Sequence, residues 1–178
     1  MNKTRIQLKL IWLLLGAVTL VALWQLNQQR QLATDVIAPQ LPIITLGGEE
    51  IRLGAPNQPV RLLFFWSTSC AICLEELPEW VQLHEKFHHT GLEIVAVSMP
   101  YDPPAHLLRV KQDFALPYAI GLDMSGALKK AFGVLGTPTT VLVSKNNRLL
   151  YRQLGRTDFT ALDKQIERAL NQRSKETG

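Results

Sequence analysis

The sequence has no excess of basic charge outside its first 30 residues. Of its 178 residues, 19 are Lys or Arg, and four of these lie in 1–30, where no Asp or Glu occurs. The other 15 basic residues balance 15 acidic ones, so the net charge of +4 belongs to the N-terminal segment. A neutral domain gives no electrostatic reason to expect nucleic acid as a partner. The sequence also lacks internal repeats and low-complexity tracts, and its length suits one domain plus a short appendage.

Charge is also missing from residues 10–26, a run of 17 residues with Trp12 and Trp24 near its ends. Such a run is at the short end for an α-helix that crosses a bilayer, and tryptophans suit the two interfaces. We therefore predict a transmembrane anchor at 10–26, with the basic residues 1–9 in the cytoplasm and the rest of the chain outside. A cleaved signal peptide is the competing interpretation, but residues 23–27 lack the pair of small residues that a cleavage site needs.

Only two cysteines occur, and they lie together as Cys70-Ala71-Ile72-Cys73 directly after an apolar run at 60–66. A Cys-x-x-Cys pair where a buried strand gives way to a helix is typical of a dithiol used for redox exchange. The first thiol lies at the helix N-terminus, where free backbone N–H groups and the helix dipole favour the thiolate. A structural disulfide is the alternative, but a two-residue loop removes little entropy from the unfolded chain. One cysteine pair in an exported domain also suits an oxidising compartment.

Hydrophobic periodicity and turn residues divide the rest of the chain into strands and helices. Residues 27–38 are polar and rich in Gln, which indicates a linker, and residues 39–173 form the predicted domain before a frayed tail at 174–178. The predicted strands are 43–46, 49–53, 60–66, 92–97, 117–120, 139–144 and 148–154, and the predicted helices are 71–88, with a kink at Pro78, 103–114, 125–132 and 159–171.

This order of elements predicts an α/β fold, with a mixed central sheet between helical layers. The first two strands form a hairpin about Gly47-Gly48, and strands 139–144 and 148–154 form a second hairpin. The run at 60–66 is uniformly apolar, as expected for a central strand covered on both faces. The cysteine pair follows this strand at its carboxyl end, the edge at which open α/β sheets usually hold their reaction sites.

Three motifs carry a family resemblance: Trp66-x-x-x-Cys70-x-x-Cys73, Glu76-x-Pro78, and Gly136-Thr137-Pro138-Thr139-Thr140. Together they resemble the thioredoxin fold, and more narrowly the membrane-anchored TlpA/ResA type of thiol-disulfide oxidoreductase, a relative of the AhpC/TSA and Redoxin proteins. The resemblance covers about residues 40–172 and implies a thioredoxin fold with an N-terminal β-hairpin and a central helix-strand insert. It also implies a single-pass protein of the bacterial inner membrane with its C-terminal domain in the periplasm.

The resemblance implies roles for three side chains. Cys70 is the expected nucleophile that attacks a partner disulfide, and Cys73 is the thiol that resolves the mixed disulfide. Glu76 lies three residues after Cys73, so a partly buried carboxylate there could accept and return the Cys73 proton. An ordinary glutamate in the first helical turn is the alternative for Glu76. Thioredoxins in general carry a buried aspartate on the preceding strand, but Phe64 stands at that place here.

The resemblance also implies a substrate-binding edge. Pro138 is expected to follow a cis peptide bond, which exposes the Thr137 carbonyl for pairing with the extended backbone of a substrate. The alternative is that Pro138 only starts a strand. Trp66 is a further candidate for lining the partner groove, although it could equally belong to the core.

These roles predict a periplasmic reductase of disulfides in exported proteins. Such proteins are the expected partners, with an electron donor in the membrane or periplasm and no cofactor beyond the Cys70–Cys73 disulfide. Cytochrome c maturation and copper-site assembly are the usual tasks of the family. The alternatives are a disulfide oxidase or isomerase, and a non-catalytic module that binds copper or an apoprotein. We expect no metal held jointly with His84 and His88, because a continuous helix would place His84 about 16 Å from Cys73.

Overall fold

The computed structural model describes Trp12, residues 15–21 and residues 36–171. Residues 15–21 are helical. Within these described ranges, no helix is both long and apolar enough to cross a membrane. Most of the predicted anchor at 10–26 lies outside the described residues, as do most of the predicted linker and the tail from 172 onward.

Residues 36–171 contain a mixed sheet of seven strands, which confirms the predicted α/β class. The strands are β1 (Pro42–Thr45), β2 (Glu50–Arg52), β3 (Val60–Trp66), β4 (Leu92–Ser98), β5 (Ala119–Leu122), β6 (Thr139–Val143) and β7 (Leu149–Leu154). Their order in the sheet is β2-β1-β5-β4-β3-β6-β7. β3, β4 and β5 run parallel, whereas the other neighbours are antiparallel, including the two predicted hairpins β1–β2 and β6–β7.

Helices cover both faces of this sheet. They are α1 (Ala71–Glu75), α2 (Leu77–Phe87), α3 (Pro104–Asp113), α4 (Ala127–Ala131) and α5 (Phe159–Asn171). The first three helices and α5 contribute to one hydrophobic core, and α4 contributes to a second core on the opposite face. The molecule therefore has the layered arrangement that the order of elements predicts.

The central strand β3 is buried along its whole length because both cores need it. Successive side chains of a strand point to opposite faces, so Phe64 and Trp66 enter the core of α2 while Phe65 enters that of α4. Phe64 stacks on Trp80 of α2 with ring centroids 4.4 Å apart. We expect the truncation of Phe64 to alanine to cost about 3–5 kcal/mol of stability. This packing fixes α2, and with it the α1–α2 junction, against the sheet.

The predicted helix at 71–88 is interrupted and forms two helices, α1 and α2. Glu76 separates them, and Leu77 and Pro78 occupy the first turn of α2. Proline has no N–H to donate to the preceding turn, and its ring suits the first turn of a new helix. The kink expected at Pro78 is therefore an interruption of one residue at Glu76, two positions earlier.

Two further boundaries differ from the prediction. The third parallel strand is Ala119–Leu122 and not 117–120, because Pro117 cannot donate a hydrogen bond to a sheet. The last predicted linker residues belong to the domain: the N–H of Ala38 donates to the Asn147 carbonyl at 2.8 Å, and Asn147 Nδ2 donates back to the Ala38 carbonyl at 2.7 Å. The linker therefore ends before residue 38, and the chain at that point contacts the turn between β6 and β7.

Candidate active site

The two cysteines lie at the carboxyl end of β3, as predicted. Cys70 is the N-cap of α1, with extended φ and ψ of −92° and 104°. Its Sγ accepts a hydrogen bond from the backbone N–H of Cys73 at 3.3 Å. The two residues are joined by a disulfide, with their Cα atoms 5.2 Å apart. Once the disulfide is reduced, the same backbone donor and the start of α1 would stabilise negative charge on Cys70 Sγ.

The two sulfurs differ in their exposure to solvent. Cys70 is half-buried, whereas Cys73 is fully buried in the core beneath α1. The residues between them, Ala71 and Ile72, are exposed. A partner can therefore approach Cys70 but not Cys73, which is the asymmetry that an attacking thiol and a resolving thiol require.

The Gly136-Thr137-Pro138 loop lies at the same edge of the sheet. Its Thr137–Pro138 peptide bond is cis, as the family resemblance implies. The loop leads into β6, whose Thr139 pairs with Phe65 of β3, next to the end of that strand. Thr137 is half-buried and Pro138 is buried. The structure thus brings both predicted substrate-binding residues to the edge that carries the dithiol.

Glu76 is buried and hydrogen-bonded, unlike the exposed glutamates beside it. It is 2% exposed, whereas Glu75 and Glu79 face solvent. The backbone N–H of Thr157 donates to Glu76 Oε1 at 2.6 Å, and the Thr157 hydroxyl donates to Oε2 at 3.0 Å. A buried carboxylate is costly unless it is hydrogen-bonded, and Thr157 supplies those bonds. The alternative of an ordinary, solvated first-turn glutamate does not describe this residue.

A second threonine extends this hydrogen-bonded group. The Thr157 hydroxyl lies 3.2 Å from the hydroxyl of Thr140 on β6, and either oxygen can be the donor. A hydroxyl both donates and accepts. If the Glu76 carboxyl is protonated, its O–H can donate to the Thr157 hydroxyl. The Thr157 hydroxyl can then donate to the Thr140 hydroxyl and no longer to Glu76. The site therefore accommodates Glu76 in its ionised and its neutral form without leaving any of the three groups unpaired.

The sequence predicts no role in the site for Thr157 or Thr140. Thr157 stands in no motif and precedes Asp158, whose Oδ1 caps the last helix by accepting from the N–H of Ala161 at 2.9 Å. Thr140 ends the motif at 136–140, in which only Thr137 and Pro138 have an expected role. The two positions become close to Glu76 only through the packing of β6 and the start of α5 against α1.

An exposed ion pair reinforces the same junction. Arg156 Nη2 lies 2.6 Å from Glu75 Oε2, one residue before the contact between Thr157 and Glu76. The hydrogen bond with Glu75 raises the pKa of the Arg156 guanidinium, and the negative charges of Glu76 and Glu79 add to this effect. Because the pair is exposed, it contributes little to stability. Its effect is to place one positive charge beside the acidic end of α1.

Of the two alternatives for Trp66, the partner groove and the core, the structure shows the core. Its side chain is fully buried and lies 6.3 Å from the ring of Phe64 in the core that α2 covers. The reason is the alternation of side chains along β3, which points residues 62, 64 and 66 to the same face. Trp66 presents no surface to a partner in this structure, so the core alternative describes it.

His84 lies on α2, and His88 directly follows the last residue of that helix. The rings of His84 and His88 stack with centroids 5.1 Å apart, and His84 lies 6.1 Å from the ring of Tyr118 on the core side. Burial lowers the pKa of His84, and positive charge on His88 lowers it further. Among the residues that the structure describes, no three His, Cys, Asp or Glu side chains converge as metal ligands would.

Comparison with known proteins assigns the family. The AhpC/TSA family model matches residues 31–152, more than half of the chain. The chain belongs to the AhpC/TSA family. The thiol-disulfide oxidoreductase ResA of Bacillus cereus is 27% identical over 172 residues, which cover 94% of this chain and 98% of that protein. ResA of Geobacillus thermodenitrificans is 30% identical over 123 residues, covering 69% of this chain and 70% of that protein.

Solved structures share the fold of this chain. A protein of Chlorobium tepidum assigned as a thiol:disulfide interchange protein, DsbE, superposes with a TM-score of 0.69 at 25% identity, covering 78% of this chain and 99% of that one. StoA of Bacillus subtilis shares the fold, with a TM-score of 0.64 at 20% identity over 73% of this chain and 98% of that one. The expected TlpA/ResA-type resemblance is confirmed, and the chain is a thioredoxin-like thiol-disulfide oxidoreductase.

Proposed function

We propose that this oxidoreductase reduces disulfides in exported proteins of the bacterial periplasm. The observation that supports the proposal most directly is the pair of unequal sulfurs: Cys70 is accessible at the start of α1, and Cys73 is buried behind it. A reductase needs one thiol that attacks the partner disulfide and a second, protected thiol that resolves the mixed disulfide. The redox-active Cys70–Cys73 pair is the only cofactor that the proposed reaction requires.

The reaction begins with the reduced protein. The Cys70 thiolate attacks one sulfur of the partner disulfide, and the partner's other sulfur leaves as a thiolate. The Cys73 thiolate then attacks Cys70 Sγ and releases the partner's second sulfur. Two electrons pass to the partner, which ends as a dithiol, and the protein ends with the Cys70–Cys73 disulfide seen in the structure.

Glu76 is the proposed proton acceptor for the second step. Cys73 is fully buried, so its thiol needs a base nearby before it can attack. Glu76 follows it by three residues, at the junction of α1 and α2, and Thr157, whose hydroxyl also contacts Thr140, holds its carboxylate in place. General base catalysis of this kind typically contributes about 10²–10⁴-fold to a rate.

The partner's chain is proposed to bind along the loop of Thr137 and Pro138. An extended peptide that adds to this edge would pair with the Thr137 carbonyl and bring its disulfide to Cys70. Recognition through the backbone carries little sequence preference, which suits a reductase with several protein substrates.

The proposed location and partners follow from the N-terminal segment and the family. Residues 10–26 would anchor the chain in the inner membrane as a single-pass protein, with the catalytic domain in the periplasm. Electrons would come from a donor in the membrane or periplasm. Cytochrome c maturation or the assembly of a copper site would be the task, and two of the relatives are named ResA thiol-disulfide oxidoreductases.

The test is the reduction of insulin by the full chain, followed as the turbidity of the released B chain. The wild-type protein should catalyse the reaction with dithiothreitol as reductant, and a Cys70→Ser variant should have no activity above background. A non-catalytic binding module would leave the wild-type protein as inactive as Cys70→Ser. The assay therefore separates a catalytic dithiol from a binding module. An oxidase is distinguished from a reductase by the reduction potential of the Cys70–Cys73 pair, because dithiothreitol would also keep an oxidase reduced.

A further inference from the structure

The loop after β4 brings a buried carboxylate to the segment that connects β3 to the dithiol. Asp102 is 3% exposed, and its Oδ1 accepts three hydrogen bonds from that segment. The donors are the Ser67 hydroxyl at 3.1 Å, the Thr68 backbone N–H at 3.1 Å and the Thr68 hydroxyl at 2.6 Å. Neither this aspartate nor the two residues that it contacts has a part in the reaction proposed above.

The loop that carries Asp102 is stiff and is tied to the end of β3. Proline stands at positions 100, 103 and 104, which restricts the backbone on both sides of the aspartate. The N–H of Met99 donates to the Trp66 carbonyl at 3.1 Å, and the N–H of Asp102 donates to the Met99 carbonyl at 3.1 Å. The carboxylate is therefore presented from a fixed position beside the last residue of β3.

The carboxylate depends on these three donors. Its other oxygen, Oδ2, is also buried and has no hydrogen-bond partner among the described residues. A buried carboxylate is strongly destabilising unless its hydrogen bonds are made, and bonds to an ionised group are the stronger ones. Moving Ser67 or Thr68 would leave the carboxylate unsatisfied, so the segment is held in one conformation.

The restraint continues along the chain to the nucleophile. The Ser67 hydroxyl lies 2.9 Å from that of Ser69 and accepts the Ser69 N–H at 3.2 Å. The N–H of Cys70 donates to the Ser67 carbonyl at 3.1 Å. Cys70 in turn places its Sγ against the Cys73 N–H at 3.3 Å. Every residue between β3 and the nucleophile is thus connected to Asp102 directly or through Ser67.

We propose that Asp102 is a positioning residue for Cys70: it holds Ser67 and Thr68 so that the Cys70 sulfur stays at the N-terminus of α1. The effect comes from the hydrogen bonds that Oδ1 accepts. An asparagine at position 102 should therefore still position Cys70, because its side-chain carbonyl also accepts hydrogen bonds. An alanine at that position should not. The proposal rests on the reductase function proposed above, because it concerns the nucleophile of that reaction.

The test measures the alkylation rate of Cys70 by iodoacetamide at neutral pH. The full chain carries Cys73→Ser, so that Cys70 is its only thiol. Asp102→Ala should slow alkylation about tenfold, because the thiolate loses the hydrogen bond and helix terminus that stabilise it. Asp102→Asn should stay within about 1.5-fold of the parent, since it keeps the acceptor.

Asp123→Ala is the matched control. Asp123 is 2% exposed and caps α4 by accepting from the N–H groups of Leu128 at 3.0 Å and Lys129 at 2.7 Å. The loss of Asp123, like the loss of Asp102, should lower the melting temperature, but it should not slow alkylation. Equal slowing in both alanine variants would mean that stability alone governs the rate, and the proposal would be wrong.

Two other results would also overturn the proposal. One is an unchanged alkylation rate in Asp102→Ala. The other is equal slowing in Asp102→Asn and Asp102→Ala, which would mean that the charge of Asp102 governs the rate. If Asp102→Ala does not fold, Thr68→Val removes the 2.6 Å donor alone and should slow alkylation about threefold. An unchanged rate there would be equally decisive. Insulin reduction by the wild-type chain tests the proposed function separately, because that assay can fail while Asp102 still governs Cys70 alkylation.

Discussion

Thr157 donates a hydrogen bond to each oxygen of the Glu76 carboxylate, although 81 positions separate the two residues in the chain. The contact joins the segment before α5 to the break between α1 and α2. It holds the only buried glutamate of that region one helical turn from the resolving cysteine.

Glu76→Gln should slow the resolution of a mixed disulfide on Cys70 by about 10²-fold at neutral pH. The substitution keeps an acceptor for the Thr157 N–H but removes the base for Cys73. The measurement is the release of thiol from a preformed adduct with a model peptide. A Glu79→Gln variant, which changes an exposed glutamate of α2, should release thiol at the wild-type rate. Equal rates in the Glu76 and Glu79 variants would rule out proton acceptance by Glu76.

Thr157→Val should lower the free energy of unfolding by about 1–3 kcal/mol, because Glu76 Oε2 and the Thr140 hydroxyl lose their buried partner. Thr157→Ser keeps the hydroxyl and should lose only the contribution of one methyl group, about 0.8 kcal/mol. Urea unfolding of the oxidised proteins gives both values. If Thr157→Val lowers the free energy of unfolding no more than Thr157→Ser does, the hydroxyl of Thr157 does not stabilise the buried Glu76.

Cys73→Ser should trap partners as stable mixed disulfides on Cys70, because the resolving thiol is absent. The adducts should appear on non-reducing gels and disappear on reduction. Cys70→Ser is the matched variant and should trap little, since Cys73 is fully buried. A protein that only carries a metal ion would yield no adduct in either variant.

The sequence identified the dithiol and the fold because their signals are local. The Cys-x-x-Cys pair, the apolar β3 and the glycine turn of the first hairpin each lie within a few consecutive residues, and all were placed correctly. The burial of Trp66 was left undecided between core and groove, since the alternation along a strand covered on both faces does not mark either side as exposed.

The hydrogen-bond partners of the site could not be predicted because they are distant in sequence and chemically ordinary. Thr157 is 81 positions from Glu76, and Asp102 is 34 positions from Thr68. Threonine and aspartate are common in loops, where they cap helices and make turns. Only the packing of the sheet shows that these particular side chains meet the residues around Cys70 and Cys73.

His84 should make the protein less stable in mild acid. Burial, and then the charge of His88, lower its pKa from 6.5 in the folded state. The unfolded chain therefore binds the proton more tightly, and stability present above pH 6.5 is lost as the pH falls below that value. His84→Gln should show a smaller drop in urea midpoint between about pH 7.5 and about pH 5 than the wild-type protein. An equal drop would remove His84 as the cause.

The equilibrium reduction potential of the Cys70–Cys73 pair against glutathione tests the central claim most directly. The full chain is equilibrated with defined ratios of reduced and oxidised glutathione, and the fraction of free thiol is counted after acid quenching. A reductase of exported proteins should have a potential below about −230 mV, in the range of thioredoxins. A potential near −120 mV, typical of a strong oxidant, would contradict the account.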